Sequence, residues 1–225
     1  MGGLKLRIAM VAASVALQAL APAAHAASAS TSAEASGSAQ NAGLVSQIAA
    51  QLGRANGIRA HFTQTQIRAA LKQPLVSSGS LLLARGRGVI WRIETPYQAT
   101  YLITDAGVSE IDAAGQRVGG ASPHGARGVA EVSRMMRAML GGDLSALYSQ
   151  FDVQASGTPA QWRMQLTPNQ PQLAQAIKGL QMSGGSYLRT LRITLANGDV
   201  TTLDFSDTAK VTDLTSAEQQ LFGAP

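Results

Sequence analysis

The side chains that could support catalysis or bind a metal are few in this sequence, and their spacing suits neither task. His61 lies beside Phe62 at the start of a predicted strand, and His124 lies in a glycine-rich segment; neither has a second His or Cys at metal-ligand spacing. Ser122 lies close to His124, but a glycine-rich loop does not hold catalytic geometry, and the G-x-S-x-G and H-E-x-x-H motifs are absent. Five acidic residues that lie around the predicted hairpins do not form an acid–base pair: Asp105, Glu110, Asp112, Asp204 and Asp207. The sequence therefore predicts a protein that is not an enzyme and that uses no metal or cofactor.

The apolar side chains form a more informative group. Met135, Met136 and Met139, together with Leu140, crowd one face of a predicted helix, and methionine adapts to ligands of varied shape. Apolar strand positions could form two walls: Leu81, Leu83, Trp91, Ile93, Tyr101 and Ile103 on one, and Leu191, Ile193, Leu195, Leu203 and Phe205 on the other, with Trp162 and Met164 on a neighbouring strand. Two interpretations stay open, an ordinary hydrophobic core and a cavity that accepts acyl chains under a deformable helical cover.

One predicted hairpin is apolar on both faces. Its strands, Ser80–Ala84 and Val89–Ile93, flank a basic, glycine-rich turn that contains Arg85 and Arg87. A hairpin with one face in water normally alternates apolar and polar residues, and the first strand does not. The sheet at this point therefore needs two covers. A helix can supply one of them, and a ligand can supply the other.

The first 26 residues have the three parts of a secretory signal peptide. Lys5 and Arg7 form a positive start, Ile8–Leu20 is a short apolar stretch, and Ala24-His25-Ala26 offers small residues at the positions that a signal peptidase reads. The alternative is a membrane anchor, but the apolar stretch is shorter than the roughly 20 residues that a spanning helix needs. The sequence predicts export, with cleavage near Ala26.

The mature chain is predicted to be a short leader followed by one domain. Residues 27–43 are rich in Ala and Ser and are predicted to be disordered, whereas residues 44–225 have the length and apolar content of a single domain. Loss of Lys5 and Arg7 lowers the formal net charge from +5 to +3, a mild excess that suits acidic surfaces or partners without specifying any. Basic residues are not interleaved with aromatic ones, so nucleic acid is not expected as a partner. The chain lacks cysteine, which excludes disulfides and a lipidated N-terminus, and we expect a monomer.

The order of predicted elements indicates an α+β fold with one antiparallel sheet curved around helices. Hydrophobic periodicity and turn signals predict a helix over Gly43–Asn56, a strand over Ile58–Ile67, the hairpin above, and strands at Thr100–Thr104 and Val108–Asp112. A loop over Ala113–Gly128 and a helix over Val129–Gln150 are predicted next, followed by strands from Phe151 and around Trp162–Leu166. The last part is predicted to contain a short helix from Pro171 to near Gly179 with Leu173, Ile177 and Leu180, strands at Leu191–Leu195 and Val200–Phe205 around the Asn197-Gly198-Asp199 turn, and a helical tail over Leu214–Phe222.

The order and spacing of several motifs resemble the LolA-type periplasmic outer-membrane lipoprotein carriers, of which this chain would be a divergent member. The resemblance runs through an N-terminal amphipathic helix, Phe62-x-Gln64, Gly79 with Leu81, Arg85, Trp91, Pro96, Asp105-x-Gly107, the mid-chain helix, Phe151-x-Val153, Trp162–Pro168 and the last hairpin through Phe205. It implies an open, unclosed β-barrel covered by helices that act as a lid. It also implies that Arg85 latches this lid through hydrogen bonds, although Gly86 follows Arg85 where the family often has proline.

The resemblance implies a carrier that shields the acyl chains of lipoproteins, or of another acylated lipid, between the inner and outer membranes. Its partners would be an inner-membrane export complex as donor and an outer-membrane acceptor. Two alternatives stay open. One is a lipid or lipoprotein sensor or receiver built on the same half-barrel, and the other is an enzyme that processes a lipid or glycan.

Overall fold

A computed structural model of the protein describes residues 41–104, 107–112, 114–118 and 147–223. In these ranges the chain is dominated by one sheet. Its strands are β1 (Gly57–Ile67), β2 (Leu75–Ala84), β3 (Gly88–Thr95), β4 (Ala99–Thr104), β5 (Gly107–Ile111), β6 (Arg117–Val118), β7 (Phe151–Thr158), β8 (Gln161–Pro168), β9 (Ile177–Gly184), β10 (Leu188–Leu195) and β11 (Val200–Lys210). The helices are α1 (41–52), α2 (Pro171–Ala174) and α3 (Ser216–Phe222), and residues 147–148 are also helical.

All neighbouring strands of this sheet are antiparallel, and the first strand pairs with the last. The spatial order is β6-β5-β4-β3-β2-β1-β11-β10-β9-β8-β7, so two meanders meet at the pair of β1 and β11. In the part of the chain that the structure describes, β6 and β7 are the two end strands and do not pair with each other. The predicted unclosed antiparallel sheet is therefore confirmed, whereas a helical cover over the whole of it stays a prediction.

The strand connections divide the sheet into two ends, which we name by what lies there. The α1 end carries the turns after β2, β7 and β9, which are residues 85–87, 159–160 and 185–187. The distal end carries the connections after β1, β3, β8 and β10.

The sheet curls around α1. Gln51 Nε2 donates to the carbonyl oxygens of Pro159 (2.8 Å) and Gly185 (2.5 Å), while Arg85 donates to the carbonyl of Gly53. In a flat sheet the β7–β8 and β2–β3 turns would lie six strand spacings apart, about 29 Å. Gln51 and Gly53 are separated by only about 3 Å along a helix axis. The α1 end of the sheet must therefore curve so that both turns reach the same part of the helix.

Helix α1 forms because its apolar residues share one face. Val45, Ile48 and Leu52 are almost fully buried, and their spacing of three and four residues places them on one stripe of the helix. The helix begins at least two residues before the predicted start at Gly43, so Asn41 and Ala42, predicted to belong to the disordered leader, are helical. It also ends earlier than the predicted Asn56, and the amide of Gly53 donates to the carbonyl of Ala49 in its last turn.

Most predicted strands are present, but the helix predicted from Pro171 to near Gly179 is wrong. Only Pro171–Ala174 is helical, and Ile177–Gly184 is strand β9. The reason is a bulge: Thr194 lies opposite Gly179 while Leu195 lies opposite Ile177, so Lys178 is an extra residue in β9. The bulge puts Ile177 and Leu180 on the same face at a spacing of three, which resembles a helical period.

Two further predictions concern the middle of the chain. The segment predicted as a loop, 113–128, contains the short strand β6, which pairs with β5 through Ile111 and Arg117. Of the helix predicted over 129–150, residues 129–146 lie outside the described residues. Leu147 and Tyr148 are helical, and Ser149 and Gln150 form a turn.

The sheet is apolar on both faces, as the β2–β3 hairpin predicts, and the two faces have different covers. Leu81 and Leu83 face the larger apolar cluster, to which α1 belongs. Leu82 faces a smaller cluster with Ile90, Leu102 and Ile111, and this cluster is covered by the C-terminal segment through Val211, Leu214, Leu221 and Phe222. The second cover is thus a part of the chain itself.

Candidate functional site

The larger cluster brings together the apolar residues that the sequence predicts as cavity walls. All thirteen of them that lie in the described ranges belong to this cluster or pack against it. They are Leu81, Leu83, Trp91, Ile93, Tyr101, Ile103, Trp162, Met164, Leu191, Ile193, Leu195, Leu203 and Phe205; Ile93, Leu195 and Phe205 are half-buried and the others are buried. The remaining four, Met135, Met136, Met139 and Leu140, lie outside the described residues. One face of the open sheet therefore carries a continuous apolar layer, to which both predicted walls contribute.

Trp91 lies in this layer with an unusual polar atom. It is 2 % exposed, and its ring stacks on Phe62 with centroids 4.1 Å apart and planes tilted by 32°. Its indole Nε1–H has no hydrogen-bond acceptor among the described residues. Burial of an unpartnered donor costs about 1–3 kcal/mol, so among the described residues the layer holds one indole donor that no acceptor satisfies.

Trp162 is an informative contrast. It is also fully buried in the layer, but its Nε1–H donates to the carbonyl of Gly185 at 2.9 Å. The same carbonyl accepts a hydrogen bond from Gln51. The chain's two tryptophans are thus matched in burial, and they differ in whether the indole donor has an acceptor in the described part of the chain.

Arg85 connects the β2–β3 turn to the end of α1. Its guanidinium Nη2 donates to the carbonyl of Gly53, and its backbone amide donates to the carbonyl of Asn56 at 2.8 Å. Gly86 and Gly88 allow the turn at this point with positive φ angles of 73° and 130°. The residue that the resemblance implies as a latch therefore bonds to backbone carbonyls in the short segment between α1 and β1.

Two amides that also hold α1 were not predicted. Asn41 pairs with the outer edge of β7, donating Nδ2–H to the Val153 carbonyl (2.8 Å) and accepting from the Ala155 amide (2.5 Å). Gln51 bonds to the β7–β8 and β9–β10 turns as described above. Their partners are more than 100 residues away in the sequence, so no local pattern could have identified them.

The titratable residues do not assemble a catalytic or metal site in the described part of the chain. No group of three or more His, Asp or Glu side chains there could hold a metal ion. Asp112 accepts hydrogen bonds from two amides of its own turn, and Asp204 accepts one from Thr190. Asp105, Ser122 and His124 lie outside the described residues. These acidic residues act locally, within turns and between neighbouring strands.

The phenol of Tyr101, which lies in the apolar layer, has a shifted pKa. Burial, followed by the nearby carboxylate of Glu110 and by Tyr97, raises the pKa of Tyr101 above its ordinary value of 10.0. Glu110 lies directly opposite Tyr101 on β5. The phenol is therefore held in its neutral form well into the alkaline range.

The apolar layer reaches the surface beside a cleft of about 310 Å³ at the α1 end. Tyr187, Leu188 and Phe205 line it from the side of the layer, and the polar residues Ser186, Arg189, Ser206, Asp207 and Thr208 complete it. In the described part of the chain, no helix is both long enough and apolar enough to cross a bilayer.

The described part of the chain thus combines an open antiparallel sheet, apolar on both faces, with a helix that polar side chains tie across one of them. The family described as "Outer membrane lipoprotein carrier protein LolA-like" matches residues 35–222. The chain belongs to this LolA-like family, as the sequence resemblance implies, and proteins of the family are periplasmic.

Other comparisons show more distant likenesses. A LolA superfamily protein from Nitrosomonas europaea is 10% identical, with 78% of this chain and 94% of that chain aligned and a TM-score of 0.44. The MucA/MucB complex from Pseudomonas aeruginosa gives 11% identity over 81% of this chain and 60% of that chain, with a TM-score of 0.45. LprF from Mycobacterium bovis gives 10% identity over 77% and 97%, with a TM-score of 0.37. A comparison with curated protein sequences gave no match.

Proposed function

We propose that this protein is a periplasmic carrier that holds the acyl chains of a lipoprotein, or of another acylated lipid, against the apolar face of its sheet. The observation that carries the proposal is the apolar layer, which gathers both predicted walls on one face of an unclosed sheet in a member of the LolA-like family. An unclosed sheet can widen at its free edges, which a closed barrel cannot do. The role is binding and transfer, not catalysis.

The chemistry of the cargo explains why such a face is needed. Withdrawing an acyl chain into water costs about 0.8 kcal/mol per CH₂, so a 16-carbon chain costs roughly 12 kcal/mol. Free diffusion between two membranes is negligible against this cost. A carrier must replace the lost apolar environment and still release the cargo, and a layer of aliphatic and aromatic side chains with few fixed polar contacts meets both requirements.

We propose that Arg85 latches the β2–β3 turn to α1 and so controls access to the apolar layer. A hydrogen bond from a charged donor to a carbonyl contributes about 1.5–3 kcal/mol, and less at an exposed position such as this one, so cargo can displace it. Arg85→Leu is expected to change the rate at which acylated cargo is received and passed on. Arg87→Leu is the matched control, since Arg87 is exposed in the same turn and its loss removes the same charge.

Binding is tested with a brominated acyl lipid, which quenches a nearby indole. Trp162→Phe leaves Trp91 as the sole tryptophan, and Trp91→Phe leaves Trp162, so each variant reports on one side of the layer. We expect saturable quenching in at least one of them. Absence of quenching in both, in protein shown to be folded by circular dichroism, would contradict the proposal.

Transfer is tested by loading the protein with acylated cargo and mixing it with outer-membrane acceptor vesicles. A carrier releases its cargo to the acceptor, whereas a sensor or receiver retains it or changes its contacts with another protein. Mass spectrometry of lipids and lipoproteins that co-purify with the protein from the periplasm would identify the cargo. The donor is proposed to be an inner-membrane export complex, and wild-type transfer by Arg85→Leu would remove the latch from the proposal while leaving the carrier role intact.

A further inference from the structure

Most of the exposed large apolar side chains in the described part of the chain lie at one end of the sheet. Seven such side chains are 38–56% exposed, and strand order and register place six of them at the distal end, whereas Val118 pairs with Glu110 toward the middle of the sheet. They are Ile67, Leu71, Leu75, Val76, Tyr97, Val118 and Tyr148. Single exposed apolar residues are common on proteins, but their concentration at one end marks an interaction surface.

Four of the seven lie in ten consecutive residues, 67–76, which connect β1 to β2 and which we name the apolar-basic loop. Ile67 is 49% exposed, Leu71 44%, Leu75 46% and Val76 55%. The sequence of this loop contains two basic residues, Arg68 and Lys72, and no acidic residue. The loop thus presents aliphatic side chains and positive charge together.

The apolar-basic loop is held in place rather than extended freely into solvent. The amide of Leu71 donates to the carbonyl of Arg68 at 2.9 Å, which closes a turn. The amide of Ala69 donates to Asp199 Oδ1 at 3.0 Å and so fixes the loop to the β10–β11 turn. Its exposed aliphatic side chains therefore keep their place at the distal end.

We infer that the apolar-basic loop docks the protein onto the surface of an anionic lipid bilayer. Aliphatic side chains can enter the boundary between headgroups and acyl chains while Arg68 and Lys72 extend their charged ends to lipid phosphates. Each basic residue near an anionic leaflet strengthens attachment, and the effect weakens with salt. Tyr97, 56% exposed at the same end, is the kind of aromatic residue that is enriched at the level of the headgroups.

The composition of the loop favours a bilayer over a protein partner. The buried centres of protein–protein interfaces are enriched in aromatic residues and depleted in Lys, whereas this loop contains Lys72 and no aromatic residue. Of the acidic side chains at this end, Asp199 accepts from the Ala69 amide and Glu94 accepts from Ser80 at 2.9 Å, while the loop itself contributes only the basic residues Arg68 and Lys72. This inference goes beyond the proposed function, because docking at the distal end does not require that the apolar layer hold acyl chains.

The test is co-sedimentation of the full chain with vesicles of phosphatidylethanolamine containing phosphatidylglycerol, compared with vesicles of phosphatidylcholine alone. Leu71→Ser/Leu75→Ser should lower partitioning about tenfold or more, because it removes two half-exposed aliphatic side chains from the contact. Arg68→Glu/Lys72→Glu should abolish the preference for anionic vesicles and its dependence on salt. Residues 1–40 are common to all forms, so differences between variants report on the loop.

Two controls isolate the loop. Arg54→Glu/Arg87→Glu makes the same change in net charge with two exposed residues at the α1 end and should bind like the wild type. Val118→Ser removes an equally exposed apolar side chain from the end strand β6 and should have little effect. Thermal unfolding should be unchanged in every variant, since all of the altered side chains are exposed.

Three results would overturn the inference. The first is wild-type partitioning of Leu71→Ser/Leu75→Ser, and the second is an equal effect of the charge reversals at the two ends. The third is light scattering that shows a dimer in the wild type and a monomer in the loop variants, which would assign the loop to a second copy of the chain. Quenching by the brominated acyl lipid is measured on the same variants and should not change, so failure of docking is distinguishable from failure of acyl binding.

Discussion

The two tryptophans allow a quantitative test of the unpaired donor in the apolar layer. Trp91→Phe and Trp162→Phe remove the same volume from sites that are 2% and 0% exposed, so the cost of the cavity is similar in both. Trp162→Phe also loses a hydrogen bond worth about 0.5–1.5 kcal/mol, whereas Trp91→Phe removes a buried unpaired donor that costs about 1–3 kcal/mol. Trp162→Phe should therefore lower the free energy of unfolding by about 1.5–4.5 kcal/mol more than Trp91→Phe does.

The measurement is urea unfolding followed by far-ultraviolet circular dichroism, because each substitution removes one of the two tryptophans and alters the fluorescence signal. Gly185 is the same in both variants, and its carbonyl keeps the hydrogen bond from Gln51 when Trp162 is replaced. The expected difference therefore comes from the indole donors and not from a newly unpaired carbonyl. Equal stabilities within about 0.5 kcal/mol, or a larger loss in Trp91→Phe, would refute the reasoning.

Three further predictions concern the cover of the second face, its attachment and the pH dependence of stability. Leu82→Ala should cost about 2–5 kcal/mol in urea unfolding, because Leu82 is buried under the C-terminal segment; a loss below 1 kcal/mol would mean that this cover is not formed. Glu218→Ala should lower the free energy of unfolding by about 2–4 kcal/mol, since Glu218 both caps α3 and pairs with Arg59 at 2.6 Å. Arg59→Ala should lower it less because the Arg59 side chain is 47% exposed, and a double-mutant cycle measures the coupling between the two residues. The pKa of Tyr101 is raised in the folded chain, so the unfolded chain releases the Tyr101 proton first, near pH 10, and the free energy of unfolding should fall above that pH. Tyr101→Phe should make this fall less steep, and an unchanged slope would contradict the assignment of the effect to Tyr101.

The sequence predicted the strands and the shared face well because both follow from local alternation. In β8, Trp162, Met164 and Leu166 alternate with exposed polar residues, and the structure buries each of the three. The hairpin at Arg85 also follows from local chemistry, since glycine supplies the positive φ angles that the turn needs. A strand whose apolar residues alternate with polar ones, and a turn whose positive φ angles fall on glycine, can therefore be predicted from the sequence alone.

The errors arose where a long-range contact decides the local structure. The extra residue Lys178 breaks the period of β9, and only its pairing with β10 shows that Ile177 and Leu180 belong to a strand. The ties made by Asn41 and Gln51 end on backbone carbonyls and an amide of other strands, which carry no side-chain signature in the sequence. The sequence likewise shows that β2 needs two covers but not that α3 is the second.

The structure also indicates which element should become more mobile when the hydrogen bond from Arg85 to Gly53 is lost. Burial of Val45, Ile48 and Leu52 holds α1 on the sheet with about 5–9 kcal/mol in total, at roughly 1.5–3 kcal/mol for each fully buried aliphatic side chain. The hydrogen bond from Arg85 Nη2 to Gly53 contributes far less, so its loss should loosen the β2–β3 turn, which the Arg85 amide still ties to Asn56, and leave α1 in place. In hydrogen exchange, Arg85→Leu should lower the protection of the turn and not that of residues 45–52. Loss of protection along α1 in this variant would show that the helix itself is the movable element.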